Sequence, residues 1–181
     1  MRYERQTTLR DGTQLTIRNL KKQDAAAAIW ILRKTAGETD FLLREPAECG
    51  MTIPQEEGFI EKMNDSPREV LLGAFLGGEL IGMANLSQVA ARFRVRHRAT
   101  VGVSVVKARW GKGVGSELMR ACIELAKSAG YEQLELSVVD RNDRAAALYV
   151  RLGFERVGRI PHAMKYRDGS YADYVNMVLN L

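Results

Sequence analysis

The stretch "VVKARWGKGVGSELM", residues 105–119, sets Gly111, Gly113 and Gly115 at alternate positions between an apolar run and a helix-like one. Glycine costs backbone entropy on folding, so such a cluster marks a backbone that comes close to something. Upstream, "HRATVGVSVV" reads as a strongly apolar strand. Downstream, Leu118, Cys122, Leu125 and Ala129 fall on one helical face, with Met119, Ile123 and Ala126 beside them. Glu117 in the first turn, Lys127 near the end and Gly130 as a stop complete that helix. A strand, a glycine loop and a helix N-terminus together suit an anion, because N–H groups point outward and the helix dipole adds positive potential. Two familiar phosphate loops fit poorly. Gly111-Lys112 is followed by Gly113 and not by Ser or Thr, and a dinucleotide fingerprint begun at Gly111 meets Ser116 at its third glycine. The plain alternative is a tight turn that binds nothing.

A second stretch, "NDRAAALYVRLGF" at residues 142–154, reads as a short helix capped by Asn142 and stopped by Gly153. Asn142 and Tyr149 lie two turns apart on one side, with the small Ala145 and Ala146 between them. That side leaves room for a ligand to run along the helix. Close packing on a sheet is the competing account.

Working outward, "TQLTIRNL" alternates as a strand, and Asp24 is placed to cap the helix "AAAAIWILRKTAG". Thr52 and Gln55 have capping-box spacing before a second helix. "EVLLGAFLGGELIGMANLS" is a hairpin around Gly77 and Gly78. "YEQLELSVVD", "FERVGRI" and "YADYVNMVLNL" are further strands. The order predicts an α+β or α/β sandwich, a mixed central sheet of about six to seven strands flanked by helices. The 181 residues suit a single domain, 1–181.

The chain carries a formal charge of +5, compatible with phosphorylated ligands or simply with a solvated basic surface. No apolar run is long enough to span a bilayer, and the first residues lack the apolar core of a secretory signal, so a cytoplasmic protein without membrane contact is expected. Cys49 and Cys122 then read as free thiols. Neither has metal-ligand spacing, and His97 and His162 are far apart, so no metal is expected.

The two stretches together resemble the GNAT superfamily of acyl-CoA-dependent N-acyltransferases. "WGKGVG" matches the loop Gln/Arg-x-x-Gly-x-Gly/Ala, with Trp110 departing from it at the first position. Asn142, Ala145, Leu148, Tyr149, Gly153 and Phe154 match the second motif fully. The resemblance implies a sheet splayed in the middle, acetyl-CoA as co-substrate and a homodimer. It implies that residues 110–116 (Trp110, Gly111, Lys112, Gly113, Val114, Gly115 and Ser116) hold the pyrophosphate. Val103, Ser104 and Val105 should pair with the pantetheine arm, and Asn142 should touch it. Tyr149 should sit by the sulfur as general acid, and the N–H of Val105 should stabilise the oxyanion.

The base stays open between His97, Ser104, Glu135 and water; the position where some relatives carry a glutamate is Ala99. The acceptor is expected near Glu38, Asp40, Phe41, His97 and Tyr166, with Glu45 and Glu48 adding carboxylates that suit an ammonium. A small amine, a polyamine-like one and a peptide N-terminus all remain in view. "ARFRVRHR", residues 91–98, read as a strand puts four arginines on one side. It lacks interleaved exposed aromatics, so a nucleic-acid partner is not expected, and a charged, solvated edge is the reading taken. A catalytically silent acyl-CoA sensor is the alternative to an enzyme.

Overall fold

The computed structural model describes residues 1–181. The chain forms β1 (Glu4–Thr8), β2 (Gln14–Asn19), α1 (Ala25–Glu38), α2 (Ile53–Asp65), β3 (Val70–Leu76), β4 (Glu79–Gln88) and β5 (Arg98–Val105). It continues through α3 (Val114–Ser128), β6 (Gln133–Val139), α4 (Asp143–Arg151), β7 (Glu155–Lys165) and β8 (Tyr171–Asn180). All eight strands join one sheet in the order β1-β2-β3-β4-β5-β6-β8-β7. Every pairing is antiparallel except β5 with β6, where α3 makes the crossover.

The sheet has one strand more than the sequence suggests. β1 is mostly exposed and polar, "ERQTT", so it shows no apolar alternation; its pairing with β2 alone makes it a strand. The turn between β3 and β4 is Gly77 and Gly78, both left-handed, and Glu79, read from the sequence as part of the turn, already pairs with Leu76. Thr52 and Gln55 do form a capping box. Asp24 does not cap α1; its carboxylate turns back to accept from Arg18 Nη1 at 2.7 Å and Lys21 N–H at 2.7 Å. Burial works to raise the Asp24 pKa, but these bonds outweigh it and hold the carboxyl below its usual range.

Two layers of helix cover the sheet. α3 packs on β2 to β5, and α1 packs on β4 and β5 from the opposite face. A Cβ on Gly82 would point at Leu118 of α3, 3.4 Å away, so Gly82 and its face-mates in β4 and β5, Ala84, Val103 and Val105, lie towards α3. Met83, Asn85, Gly102 and Ser104 lie towards the α1 face. α4 joins the α3 layer, with Leu148 3.6 Å from where a Gly115 Cβ would be. A continuous cluster of 36 buried apolar residues, including Leu72, Leu86, Leu118, Leu134 and Met177, forms the core. None of the helices is long and apolar enough to cross a membrane.

The arginine stretch is not a strand. Residues 92–97 form bends and turns, closed by Val95 N–H and Arg96 N–H to the Arg92 carbonyl at 3.0 and 2.8 Å. Only Arg98 belongs to β5. Alternation misled here because the apolar members, Phe93 above all at 79% exposure, have no core to face.

Candidate active site

β5 and β6 pair only at residues 98–100 with 133–135. β6 stays paired with β8 along its length, and β5 with β4, so beyond Thr100 the sheet opens into a wedge. The direction of each β5 peptide follows from its neighbours. Val106 N–H donates to the Ile81 carbonyl at 3.0 Å, and the Arg98 carbonyl accepts from Val89 N–H, so even-numbered residues face β4. The His97 carbonyl accepts from Glu132 and Gln133, so odd-numbered ones face the wedge. Val103 and Val105 therefore turn their N–H groups into it. Ser104 turns its backbone to β4 and only its hydroxyl to the α1 face, which removes its backbone from the expected cofactor contacts.

At the mouth of the wedge the glycine loop makes a row of donors. The N–H groups of residues 111–116 have no partner within the protein. Gly113 is the N-cap of α3 at φ +95°, and Gly111 lies at φ +75°, conformations in which L side chains are strained. The row and the α3 dipole together form a cradle for a phosphate-type anion. Trp110, which departs from the family pattern, has a definite task. Its Nε1–H donates to the Val105 carbonyl at 2.7 Å, and its ring lies beneath the Arg144 guanidinium at 4.4 Å. It ties the end of β5 to the start of α4 and leaves the Val105 N–H as that residue's open group.

Asn142 caps α4, its Oδ1 accepting from Ala145 N–H at 3.2 Å, and its Nδ2 has no protein partner. Tyr149 is buried against Phe154, the ring centres 5.9 Å apart, and burial pushes its phenol up to about 12. Cys122, buried under the sheet, shows the same effect on a thiol, also raised to about 12.

The acidic loop is largely committed to structure. Glu38 Oε2 accepts from Lys107 N–H at 2.7 Å, and its Oε1 lies 3.2 Å from Lys34 Nζ. Glu45 is paired with Arg167, and Glu48 accepts from the Glu45 N–H. The Asp40 carbonyl accepts from Tyr166 Oη at 3.1 Å, and Phe41 beside it is half-buried. These contacts staple the α1–α2 loop to the β7–β8 hairpin, across the α1 face at the open end of the wedge. They bring Tyr166 to Asp40, with Phe41 beside it, while Glu38 ties the end of α1 to Lys107.

His97 is not among them. It sits just before β5, at the joined end, roughly 26 Å from Val105 at about 3.3 Å per residue. Glu135 is also unsuited to act as a base, since it holds Arg98 through both carboxylate oxygens, the Nη2–Oε2 bond at 2.8 Å. A hollow of about 490 Å³ between α1 and the start of α2, lined by Ile29, Leu32 and Arg44 among others, lies apart from the wedge.

Sequence reasoning missed Asn85. It is the one residue between Leu80 and Leu86 of β4 that is not buried, and it faces the α1 side at the opening of the wedge. Its signal was available: a lone amide inside the apolar run "ELIGMANL".

The comparisons with known proteins agree with this geometry. Residues 38–154 match the model of the Acetyltransferase (GNAT) family. The chain is 35% identical over 94 residues to the N-alpha-acetyltransferase RimI of Mycobacterium tuberculosis, a match spanning 51% of this chain and 56% of that protein. It is 33% identical over 124 residues to the L-amino acid N-acetyltransferase AaaT of Escherichia coli, spanning 66% of this chain and 74% of that one. The crystal structure of a GNAT-family acetyltransferase from Streptococcus pneumoniae superimposes with a TM-score of 0.88 at 31% identity, covering 92% of this chain and 99% of the other. The open wedge, the donor cradle and these matches carry one conclusion: the chain belongs to the GNAT family of acetyltransferases.

Proposed function

We propose that the chain moves an acetyl group from acetyl-CoA to an α-amine, best that of a peptide N-terminus, by direct attack on the thioester. The cradle at residues 111–116 takes the pyrophosphate, and the pantetheine arm lies along the Val103 and Val105 edge with Asn142 Nδ2 beside it. The amine nitrogen bonds to the thioester carbon, the oxyanion accepts from the Val105 N–H, and the C–S bond breaks. Tyr149 gives its proton to the departing thiolate and the ammonium proton leaves to water. A thiol titrates near 8.5 in water. Burial raises the Tyr149 phenol to about 12, so it stays protonated at neutral pH and gives its proton as the C–S bond breaks and charge builds on the sulfur.

The observation that carries the acceptor class is the neutrality of the α1 face at the wedge. Asn85, Ser104, Ser137 and Asn176 line it, and the Ser137 hydroxyl donates to Asn176 Oδ1 at 2.8 Å. The surrounding carboxylates Glu38, Glu45 and Glu135 are engaged, and Asp140 is held by Arg159 through Oδ2 while its Oδ1 is buried without a partner; Asp40 is free but exposed on its loop. A site without a dedicated base favours an amine that is already partly deprotonated. An N-terminal α-amine, with a pKa of about 7.7–8.0, is roughly a third free base at pH 7.5, whereas a lysine-like amine near 10.4 is about 0.1%. The likeness to an N-alpha-acetyltransferase supports this reading. The stapled loop, which shortens the acceptor groove, favours a second reading, a free L-amino acid.

Thiol release followed with DTNB over a panel of short peptides, amino acids and polyamines tests it. Peptides should lead, and the acid limb of kcat/KM should move with the pKa of the amine used. A panel led by polyamines, or an acid limb fixed for every acceptor, would sink the proposal. We also propose a homodimer: β7 is an exposed edge strand with Val157 at 60% and Ile160 at 46% exposure, and light scattering at twice the chain mass is the expected result.

A further inference from the structure

We infer that Asn85 is the residue that orients the acceptor amine, and that Gly102 is glycine so that it can. This rests on the acetyl-transfer reading above.

Asn85 lies opposite Gly102, two residues beyond the last β5–β6 pairing, where the wedge begins. A Cβ on Gly102 would stand 2.8 Å from Asn85 Oδ1. Real Cβ atoms essentially never come that close, so the amide oxygen occupies space that a side chain at 102 would take. The φ of Gly102 is not in the left-handed region, so the backbone itself does not demand glycine. What glycine spares is the place of the amide across the pair, since a Cβ at 102 would turn the Asn85 side chain away from it.

The amide is not there to complete the fold. Its Nδ2 has one long contact, 3.4 Å to Ser87 Oγ, and its Oδ1 accepts from no protein group. Oδ1 is not sealed in, since it has no protein partner and yet does not count among the buried polar atoms without one. A half-buried amide with free capacity in the middle of a sheet is costly unless something else uses it. On the same face, Ser104 is its diagonal neighbour, about 7 Å away across the strands. Ser104 flanks Val103 and Val105, whose N–H groups face the thioester. Asn85 Oδ1 accepts an N–H of the incoming amine and turns the nitrogen lone pair towards the carbonyl carbon. The amide does not titrate, which fits an acceptor that arrives as free base.

Three single variants and one double variant test this on whichever amine the wild type acetylates. Asn85→Ala should lower acceptor kcat/KM by about tenfold or more, with acetyl-CoA Kd unchanged within about twofold. Asn85→Asp keeps the accepting oxygen and should recover most of the loss. Gly102→Ala should push the amide aside and copy Asn85→Ala, and the double variant should be no worse than the poorer single one. Full acceptor kcat/KM in Asn85→Ala overturns the inference and leaves the acetyl-transfer reading intact. So does a Gly102→Ala loss that is equally large with Asn85 already removed, or an effect confined to acetyl-CoA affinity. An α-amine panel that fails in the wild type sinks the acceptor class instead, and the variants are then read on the amine that works.

Discussion

β5 is two different strands end to end. Its first three residues are zipped between β4 and β6, Ala99 is fully buried, and Arg98 is locked to Glu135. Its last five keep β4 but lose β6, and turn alternate N–H groups to an empty edge. The zipped half resembles any core strand, with every polar group spent on the protein itself. The open half leaves Val103 and Val105 N–H, the Asn85 amide, the Asn142 amide and six loop N–H groups unspent. The proposed chemistry begins where the pairing stops, on groups that a fully paired sheet would have consumed.

The largest expected effect is at the open end. Gly113→Val forces a β-branched residue into φ +95° at the helix N-cap and disorders the donor row. Calorimetry should show acetyl-CoA affinity down by about a hundredfold or more, with circular dichroism still that of a folded protein. Unchanged affinity would place the phosphates elsewhere and make the loop a plain turn.

The same contrast explains what the sequence made legible. The glycine loop, α3, α4 and the β3–β4 hairpin could be read because their local signals agree with the fold: left-handed glycines, a capping Asn142 and apolar faces of the correct period. β1 could not, because an exposed polar strand owes its form to its partner. Nor could the turn at residues 92–97, where alternation existed without a core behind it. β7 continues through Pro161, because the register shifts around residues 160–164 and His162 absorbs the bulge at φ +53°. At the site, the motif residues Gly111, Gly113, Asn142 and Tyr149 lie on the loop and the helix that follow β5 and β6. His97 lies at the paired end of β5, because nearness in sequence to a strand does not say which end of it lies open. Glu38 and Glu45 look available in sequence because two of their partners, Lys107 and Arg167, lie about seventy and one hundred and twenty residues away.

Next in size is the removal of the Tyr149 hydroxyl. Tyr149→Phe keeps the ring against Phe154 and the fold with it. Loss of a general acid should lower kcat by about a hundredfold or more and move acetyl-CoA Kd by less than about threefold. The loss should shrink with an acyl donor whose leaving thiol is more acidic. The alkaline limb of kcat for the wild type should lie well above pH 9, since burial raises the phenol to about 12 and the neutral form persists. Full kcat in the variant would make Tyr149 a packing residue.

The smallest expected change on activity lies in the zipped half, and it is the sharpest test of the contrast. Glu135 is the one acidic side chain on β6, and it faces the α1 side in register with Thr100, so by position alone it is the natural base. If it were, Glu135→Gln would cost about a hundredfold or more in kcat/KM and flatten the acid limb. The structure gives it another task, holding Arg98 and thereby the last rung before the wedge opens. The pair is partly exposed, so its net worth is about 1 kcal/mol or less. Glu135→Gln should therefore leave kcat/KM within about twofold and the acid limb in place, while the melting temperature falls by a few degrees. His97→Ala should behave in the same way. If either variant removed activity without loss of stability, the zipped half would be part of the chemistry, and the division of β5 into a structural and a reactive segment would be wrong.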